Sequence, residues 1–157
     1  MSNPIQLQYD VTAGDTWATG FIGTAAKKFE FACSYLSNNP FEELLNAVYQ
    51  IVPNLATFPR KQIQFTLWDE PIEYSWEFQV RDEQNVALQI YEKGYDKKSA
   101  LIFEETYKIY DLIKALVQCM KRNPYLLSTD KIERIHDEFT LYVKNNVGGI
   151  SADDASI

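Results

Sequence analysis

The segment QIQFTLWDEPIEYSWEFQV, residues 62–80, decides the fold class. Apolar and polar side chains alternate before and after the turn-forming run at 69–71, which is the pattern of two half-buried antiparallel strands. The apolar positions are odd-numbered before the turn and even-numbered after it, so both sets share a face only if an even number of residues separates the paired strand ends. The predicted pairs are Leu67 with Ile72, Phe65 with Tyr74 and Ile63 with Trp76, and the predicted loop is Trp68 to Pro71 or its central pair.

The same alternation predicts three strands before this hairpin and two after it. The first three span about 5–11, 17–22 and 28–35, and their connections are too short for parallel crossovers, so they form an antiparallel meander. The strand at 86–90 carries its apolar residues at even positions, which requires an odd-numbered loop such as 81–85. A last strand is predicted at about 100–105.

Three amphipathic helices are predicted from their start signals and from apolar residues at helical spacing. The first begins after Asn39, a good N-cap, with Pro40 at the first helical position and Glu42 placed as in a capping box. Its regular part ends before Pro53. The second spans about 109–120 and ends at the Asn-Pro pair 123–124, and the third spans about 130–143 with Thr129 as its cap.

Together these elements predict an α+β fold, an antiparallel meander sheet of six to seven strands with three helices packed mainly on one face. We expect a single domain over residues 1–147 and a disordered tail over 148–157, because the tail is small and polar. The second face of the sheet is left to water or to a partner. Its predicted members are Gln62, Gln64, Thr66, Glu73, Ser75, Glu77, Gln79 and Gln89.

The composition favours a neutral or basic partner. The chain has 157 residues and a formal net charge of -7, which repels nucleic acid and anionic membrane surfaces, so neither is an expected partner. The alternative is that the charge only keeps the protein soluble. No apolar run reaches membrane-spanning length, and the first residues lack the regions of a signal peptide, so we expect a cytoplasmic protein.

Few residues can carry catalytic chemistry. Cys33 and Cys119 both lie in apolar surroundings, and we expect two free, buried and inert thiols. His136, the only histidine, is predicted at the edge of the apolar stripe of the last helix. We therefore predict no catalytic residue, no metal site and no cofactor. A small enzyme that pairs His136 with a nearby carboxylate is the alternative, and it requires this histidine to line a pocket.

An acidic cluster around the hairpin is the candidate partner-binding surface. Complementary charge raises the association rate with a basic partner and disfavours wrong ones. The alternative is a solvated strand face whose charges prevent edge-to-edge aggregation. Glu73 and Glu77 lie two pleats apart, roughly 13 Å, which is too far for a glycosidase carboxylate pair. The predicted partner-binding residues are Trp68, Asp69, Glu70, Glu73, Glu77, Asp82 and Glu83.

Two motifs resemble a known group of bacterial proteins. The first is the strand end FACSYLS at 31–37, and the second is the hairpin WDEPIEYSWEF at 68–78, with an amphipathic helix between them. The combination of a "SYLS" strand end and a "W-x-E-P-x-x-Y-x-W" hairpin resembles immunity proteins of polymorphic toxin and contact-dependent growth inhibition systems. The resemblance covers about residues 5–120, and the final helix adds nothing to it.

The resemblance implies a binding function. A protein of this kind occupies the active site or substrate path of a cognate toxin, often a nuclease, and such toxins tend to be basic because they grip phosphates. The resemblance transfers no contact residues, so the acidic surface above is a separate prediction. The alternative function is a regulatory or scaffold module that binds a protein unrelated to toxins.

Overall fold

The chain adopts an α+β fold, as predicted. A computed structural model describes residues 4–11, 14–36, 38–96 and 98–146, and the predicted tail at 148–157 lies outside these ranges. The described strands are β1 (Gln6–Asp10), β2 (Trp17–Thr24), β3 (Lys27–Ser34), β4 (Gln62–Asp69), β5 (Ile72–Val80), β6 (Asn85–Lys93) and β7 (Ser99–Lys108). The described α-helices are α1 (Pro40–Ile51), α2 (Ile109–Arg122) and α3 (Asp130–Asn145).

The strands divide into two antiparallel sheets. One has the order β1-β2-β3 and the other the order β4-β5-β6-β7. Helix α1 separates the two meanders in the chain, and aromatic side chains join the sheets. The Phe31 and Trp76 rings lie 5.4 Å apart, and Phe29 lies 6.1 Å from Trp76 and 6.0 Å from Phe103. The predicted number of strands is therefore correct, but they do not form one continuous sheet.

The hairpin register differs from the prediction by two residues. Leu67 pairs with Tyr74, Phe65 with Trp76 and Ile63 with Phe78. The offset arises because Trp68 and Asp69 continue β4, which leaves only Glu70 and Pro71 in the turn, joined by a cis peptide bond. A shift of two residues leaves each side chain on its predicted face. The next connection is as predicted, since Val80 pairs with Val86 across residues 81–85.

The helices begin and end at the predicted signals. Asn39 Oδ1 accepts a hydrogen bond from the Glu42 amide at 3.1 Å, and Pro40 is the first residue of α1. The helix ends at Ile51, before Pro53. Thr129 caps α3 in the same way. Helix α2 begins directly after β7 and has no side-chain cap.

The core lies between the sheets and the helices. Helix α1 packs against β4, α2 packs against β1 and β7, and α3 packs against α1 and α2. Among the largest fully buried side chains are Trp76, Phe41, Phe78, Phe139, Ile22 and Leu45. No helix in the described ranges is both long enough and apolar enough to cross a membrane.

Two side chains at the C-terminal end of α2 donate hydrogen bonds to carbonyl groups of β1 and of the residue that follows it. Arg122 Nη2 donates to the Leu7 carbonyl at 2.5 Å. Asn123 Nδ2 donates to the carbonyls of Tyr9 and Val11 at 3.3 and 3.2 Å. An unsatisfied strand edge is a template for pairing with another chain. These two side chains therefore close the edge that β1 would otherwise present.

Candidate functional site

An open cleft of about 410 Å³ lies where the two sheets meet. Its walls combine carboxylates with aromatic rings. Asp10 comes from β1, Glu30 from β3 and Asp69 from β4, so three strands each supply one carboxylate. The other lining residues are Thr19, Gly20, Phe21, Phe31, Ala32 and Tyr74.

Strand register brings these residues together. Across the three-stranded sheet, Asp10 pairs with Thr19, which pairs with Ala32. Two residues after Thr19 in β2, Phe21 pairs with Glu30 of β3. Asp69 is the last residue of β4, directly before the turn, and Tyr74 follows that turn in β5. The β4–β5 turn therefore brings one carboxylate and one phenol to the side of the first sheet.

Gly20 lies at a point in the cleft wall where Gln8 and Phe31 approach β2 closely. A Cβ atom at this position would lie 2.1 Å from the Gln8 carbonyl oxygen and 2.9 Å from Phe31 Cζ. Both distances are far shorter than a van der Waals contact. Residue 20 is therefore restricted to glycine. Glycine inside a strand often marks a place where another backbone approaches closely.

The cleft carboxylates carry negative charge without a neutralising neighbour. In the part of the chain that the structure describes, none of the three forms an ion pair. Gln8 Nε2 donates a neutral hydrogen bond to Asp10 at 2.6 Å. Lys28 Nζ lies 4.9 Å from the centre of the Phe21 ring, one of the cleft residues.

The charge of Asp69 reaches its neighbours. Burial raises the pKa of Tyr74, and the carboxylates of Glu92 and Asp69 raise it further. Burial also raises the pKa of Cys33 to about 11, with a smaller contribution from Asp69. The phenol and the thiol therefore stay protonated at neutral pH and add no negative charge to the cleft.

The three carboxylates do not form a metal site. Asp10 and Glu30 lie two strands and two residues apart, which places their Cα atoms about 12 Å from each other. Within the described ranges, no three His, Cys, Asp or Glu side chains could hold a metal ion together.

The predicted partner-binding residues separate into three groups. Asp69 lines the cleft, and Glu70 lies exposed in the adjacent turn. Trp68, Glu73 and Glu77 lie on the outer face of the four-stranded sheet, where Trp68 pairs with Glu73. Asp82 and Glu83 lie in the β5–β6 turn, at the far end of β5 from the cleft. The sequence cluster is therefore not one continuous surface.

Two members of the cluster hold the local structure. Asp82 Oδ1 accepts hydrogen bonds from the amides of Gln84 and Asn85 at 2.8 and 2.9 Å, and these bonds hold the pKa of Asp82 below its usual value. Glu77 accepts hydrogen bonds from Gln62 and, at 2.9 Å, from Gln79. Asp82 orders a turn, and Glu77 is the centre of a polar network on the sheet.

The thiols are free and buried, as predicted. Cys33 Sγ lies 3.7 Å from the Tyr9 hydroxyl, which in turn lies 2.5 Å from the Tyr35 hydroxyl. Burial raises the pKa of Cys119, like that of Cys33, to about 11, which leaves both without thiolate character at neutral pH. The side chain of His136 is 23% exposed and lies 3.4 Å from Asp137, at the predicted boundary position.

Sequence reasoning missed Asp10, Glu30 and Tyr74 as site residues. Asp10 and Glu30 appear in the sequence as ordinary polar positions on alternating strands. Nothing local connects them with Asp69, because the connection runs through the packing of one sheet on the other. The one available signal was glycine at position 20, in the middle of a strand, where a close approach is the usual reason for glycine.

Comparison with protein-family models, with curated proteins and with solved structures finds no match to this chain.

Proposed function

We propose that this chain is a cytoplasmic immunity protein that binds a basic toxin domain, of the nuclease kind, and blocks its active site or substrate path. The observation that carries the proposal is the open cleft with three carboxylates that form no ion pair in the described residues. Glu70 lies exposed in the turn that follows Asp69 and extends the negative surface there. The resemblance of segments 31–37 and 68–78 to immunity proteins supports the same function.

Electrostatics supports binding to a basic protein. A nuclease concentrates positive charge where it grips phosphates, and an acidic surface competes for that region. Complementary charge accelerates association and excludes wrong partners. A net charge of -7 adds a long-range attraction to the local one. The inhibitor then acts by occupying the toxin and needs no chemistry of its own.

The buried thiols are consistent with this function. A thiol with a pKa of about 11 carries almost no thiolate at neutral pH, and thiolate is the nucleophilic form. His136 lies on α3, while the cleft is formed by β1 to β5. These residues therefore act in packing and at the helix boundary under the proposed function.

Co-expression tests the proposal. The toxin domain encoded in the neighbouring open reading frame is expressed with and without this chain, and growth and complex formation are measured. We expect the chain to restore growth and to elute with the toxin as one species. Continued cell death without a complex would show that the proposal is wrong. A stable complex with a non-toxic protein, without protection, would favour the regulatory or scaffold function instead.

Charge-neutral variants locate the interaction. The triple variant Asp10→Asn, Glu30→Gln, Asp69→Asn removes three charges from the cleft. The matched control removes three exposed charges from α3 through Asp130→Asn, Glu133→Gln and Asp137→Asn. We expect slower association and a weaker salt dependence for the cleft variant than for the control. Equal effects of the two variants would mean that only overall charge matters.

A further inference from the structure

We propose that the outer edge of β7 binds the same edge of a second copy of this chain, so that the two β7 strands pair antiparallel across a two-fold axis. The inference goes beyond the proposed function, and either can hold without the other. The strands β4 and β7 are the two end strands of the four-stranded sheet. Pairing at β7 therefore uses the edge opposite to β4, the strand that carries Asp69.

The other end strands of the two sheets are covered within the chain. Arg122 and Asn123 donate hydrogen bonds to carbonyls of β1. Strands β3 and β4 end their respective sheets and pack against each other. Among the described strands, only β6 hydrogen bonds to β7. A strand edge of this kind presents N–H and C=O groups that can pair with another chain.

The β2–β3 turn covers only the C-terminal half of β7. Lys27 Nζ donates to the Glu104 carbonyl at 2.8 Å and lies 5.2 Å from the centre of the Phe103 ring. Thr24 Oγ1 donates to Glu105 Oε2 at 3.1 Å. These contacts occupy the edge from residue 103 onward, so a second strand can approach only the residues before it.

The N-terminal half of β7 is open and apolar. Residues 99–102 are all exposed, and Leu101 and Ile102 keep 49% and 39% of their surface accessible. No described residue outside β6 forms a backbone hydrogen bond with this segment. Apolar side chains on an unpaired edge favour pairing with another strand, because pairing satisfies the backbone and removes the side chains from water.

A β-bulge marks the boundary between the two halves. Leu101 pairs with Tyr91 whereas Phe103 pairs with Ile90, so Ile102 is an extra residue in β7. A bulge bends its strand and interrupts regular pairing. The axis of the proposed dimer therefore lies near Leu101, on the N-terminal side of the bulge.

The charges that flank the open segment select an antiparallel dimer of two copies. Lys98 precedes the segment and Glu104 follows it, and both are exposed. In an antiparallel pair, the start of one strand faces the end of the other. Lys98 of each copy then approaches Glu104 of the other copy, whereas parallel pairing would bring like charges together. Opposite charges across strands stabilise pairing, and like charges oppose it.

Local charge does not oppose the approach of a second copy. The whole chain has 22 acidic and 15 basic residues, but residues 91–102 contain three lysines and two acidic residues. Repulsion between two acidic molecules is therefore weaker at this segment than over the rest of the chain. A basic partner gains little from the same segment, so charge favours a second copy as the occupant.

Sedimentation velocity of the full chain tests for the dimer. The concentration is varied from about 10 µM to about 1 mM, a range in which interfaces of modest affinity become occupied. We expect the mass to rise from 18.2 kDa toward twice that value. A mass that stays at 18.2 kDa over the whole range would overturn the inference.

A charge swap tests the antiparallel arrangement. Lys98→Glu places like charges together twice in each dimer, and we expect it to raise the dissociation constant about five- to thirtyfold. Glu104→Lys should act in the same way. The double variant Lys98→Glu, Glu104→Lys restores opposite charges and should return the dissociation constant to nearly that of the parent chain. Additive losses in the double variant would exclude this pairing.

An apolar-to-charged change tests the contact itself. Leu101→Lys should weaken the dimer about tenfold or more, because it places a charge near the two-fold axis of both copies. The matched control is Leu141→Lys on α3, since Leu141 is 57% exposed and Leu101 is 49% exposed. The control should leave the dissociation constant unchanged, and circular dichroism checks that both variants are folded. Equal weakening by the two variants would assign association to general apolar contact.

Hydrogen exchange measured by mass spectrometry locates the interface. Peptides that cover residues 99–102 should exchange more slowly at high than at low protein concentration, while peptides from α3 should not change. Protection that lies elsewhere, or that arises at 99–102 only when a toxin domain is added, would reject a second copy as the occupant. A chain that dimerises through β7 but never protects cells would keep this inference and reject the immunity role.

Discussion

Thr129 donates its hydroxyl hydrogen to the Glu42 carboxylate, with 2.7 Å between Oγ1 and Oε1. Thr129 Oγ1 also accepts a hydrogen bond from the Ile132 amide at 3.1 Å, and this bond caps the N-terminus of α3. Beside it, Asn39 Nδ2 contacts Ser128 Oγ at 3.3 Å. Glu42 lies in the first turn of α1, so one carboxylate faces the positive ends of two helix dipoles. The N-termini of α1 and α3 are therefore linked by shared hydrogen bonds.

Removing the Thr129 hydroxyl should loosen both helices. We expect Thr129→Ala to lower the free energy of unfolding by about 1 to 2 kcal/mol, because a cap and an interhelical hydrogen bond are lost together. Thr129→Ser keeps the hydroxyl and should stay within about 0.5 kcal/mol of the parent chain. Urea unfolding followed by circular dichroism measures both. Equal losses for the two variants would assign the effect to the methyl group.

Gly20→Ala should destabilise the first sheet. Its Cβ would lie 2.1 Å from the Gln8 carbonyl oxygen, which belongs to the backbone and cannot rotate away. The cost of such overpacking is about 1 to 3 kcal/mol or more. Gly94→Ala is the matched control, since nothing lies within 4 Å of a Cβ at that position. Thermal unfolding of the two variants compares them directly, and similar melting temperatures would contradict the close approach.

Asn123 should matter through its amide nitrogen. That nitrogen donates to the Tyr9 and Val11 carbonyls, while its Oδ1 accepts from the Tyr125 amide at 3.3 Å. We expect Asn123→Ala to cost about 1 to 3 kcal/mol, as carbonyls of a partly buried edge lose their donor. Asn123→Asp keeps the acceptor but loses the donor, so it should be at least as harmful. Hydrogen exchange of the β1 and β2 amides then increases in both variants. If Asn123→Asp is as stable as the parent chain, the main contribution of Asn123 is the hydrogen bond that its Oδ1 accepts from the Tyr125 amide.

Alkaline pH should lower the free energy of unfolding, because a buried thiol and a buried phenol are more readily deprotonated in the unfolded chain. Burial raises the pKa of Cys119 from 9.0 to about 11, so the unfolded chain releases this proton first as pH rises. The stability linked to this thiol is complete below pH 9 and is lost between about pH 9 and pH 11, an effect of roughly 2 to 3 kcal/mol. The Tyr9 phenol, whose pKa burial also raises, acts in the same direction.

The Cys119→Ala variant isolates the thiol. It should show a smaller fall in the free energy of unfolding than the parent chain when urea denaturation is compared at about pH 8 and about pH 11. Cys33 is less suitable, because its sulfur contacts the Tyr9 hydroxyl and a change there would alter both titrations. An unchanged pH dependence in Cys119→Ala would mean that the thiol titrates alike in the folded and unfolded chain.

The helices and strands could be predicted from signals between residues that are close together in the sequence. Asn39 and Thr129 accept hydrogen bonds from amides three residues away, and Pro40 has a backbone angle that suits a first helical residue, so the helix starts could be identified without knowledge of the fold. The hairpin shows the limit of such signals. Alternation fixes which face each residue occupies, but a shift of two residues satisfies it equally well. The polar side chain of Asp69 indicated a loop, whereas the strand continues through it to the turn.

The cleft could not be predicted because it depends on how two sheets pack. Asp10, Glu30 and Asp69 lie on three strands, and the packing of β3 against β4 brings the third carboxylate toward the first two. The acidic residues that are close together in the sequence are, by contrast, separated in the structure. Asp69 and Asp82 are thirteen positions apart, close enough in the chain to look like one patch, yet an extended strand holds them at opposite ends of a sheet.

The closure of β1 by Arg122 and Asn123 sets an order for folding during synthesis. The first meander leaves the ribosome long before residues 122 and 123 are made, so its outer edge has no covering side chains at that stage. Its carbonyls at Leu7, Tyr9 and Val11 then face water or any neighbouring nascent chain. The three-stranded sheet is thus completed only when nearly ninety residues have been added after its last residue, Ser34.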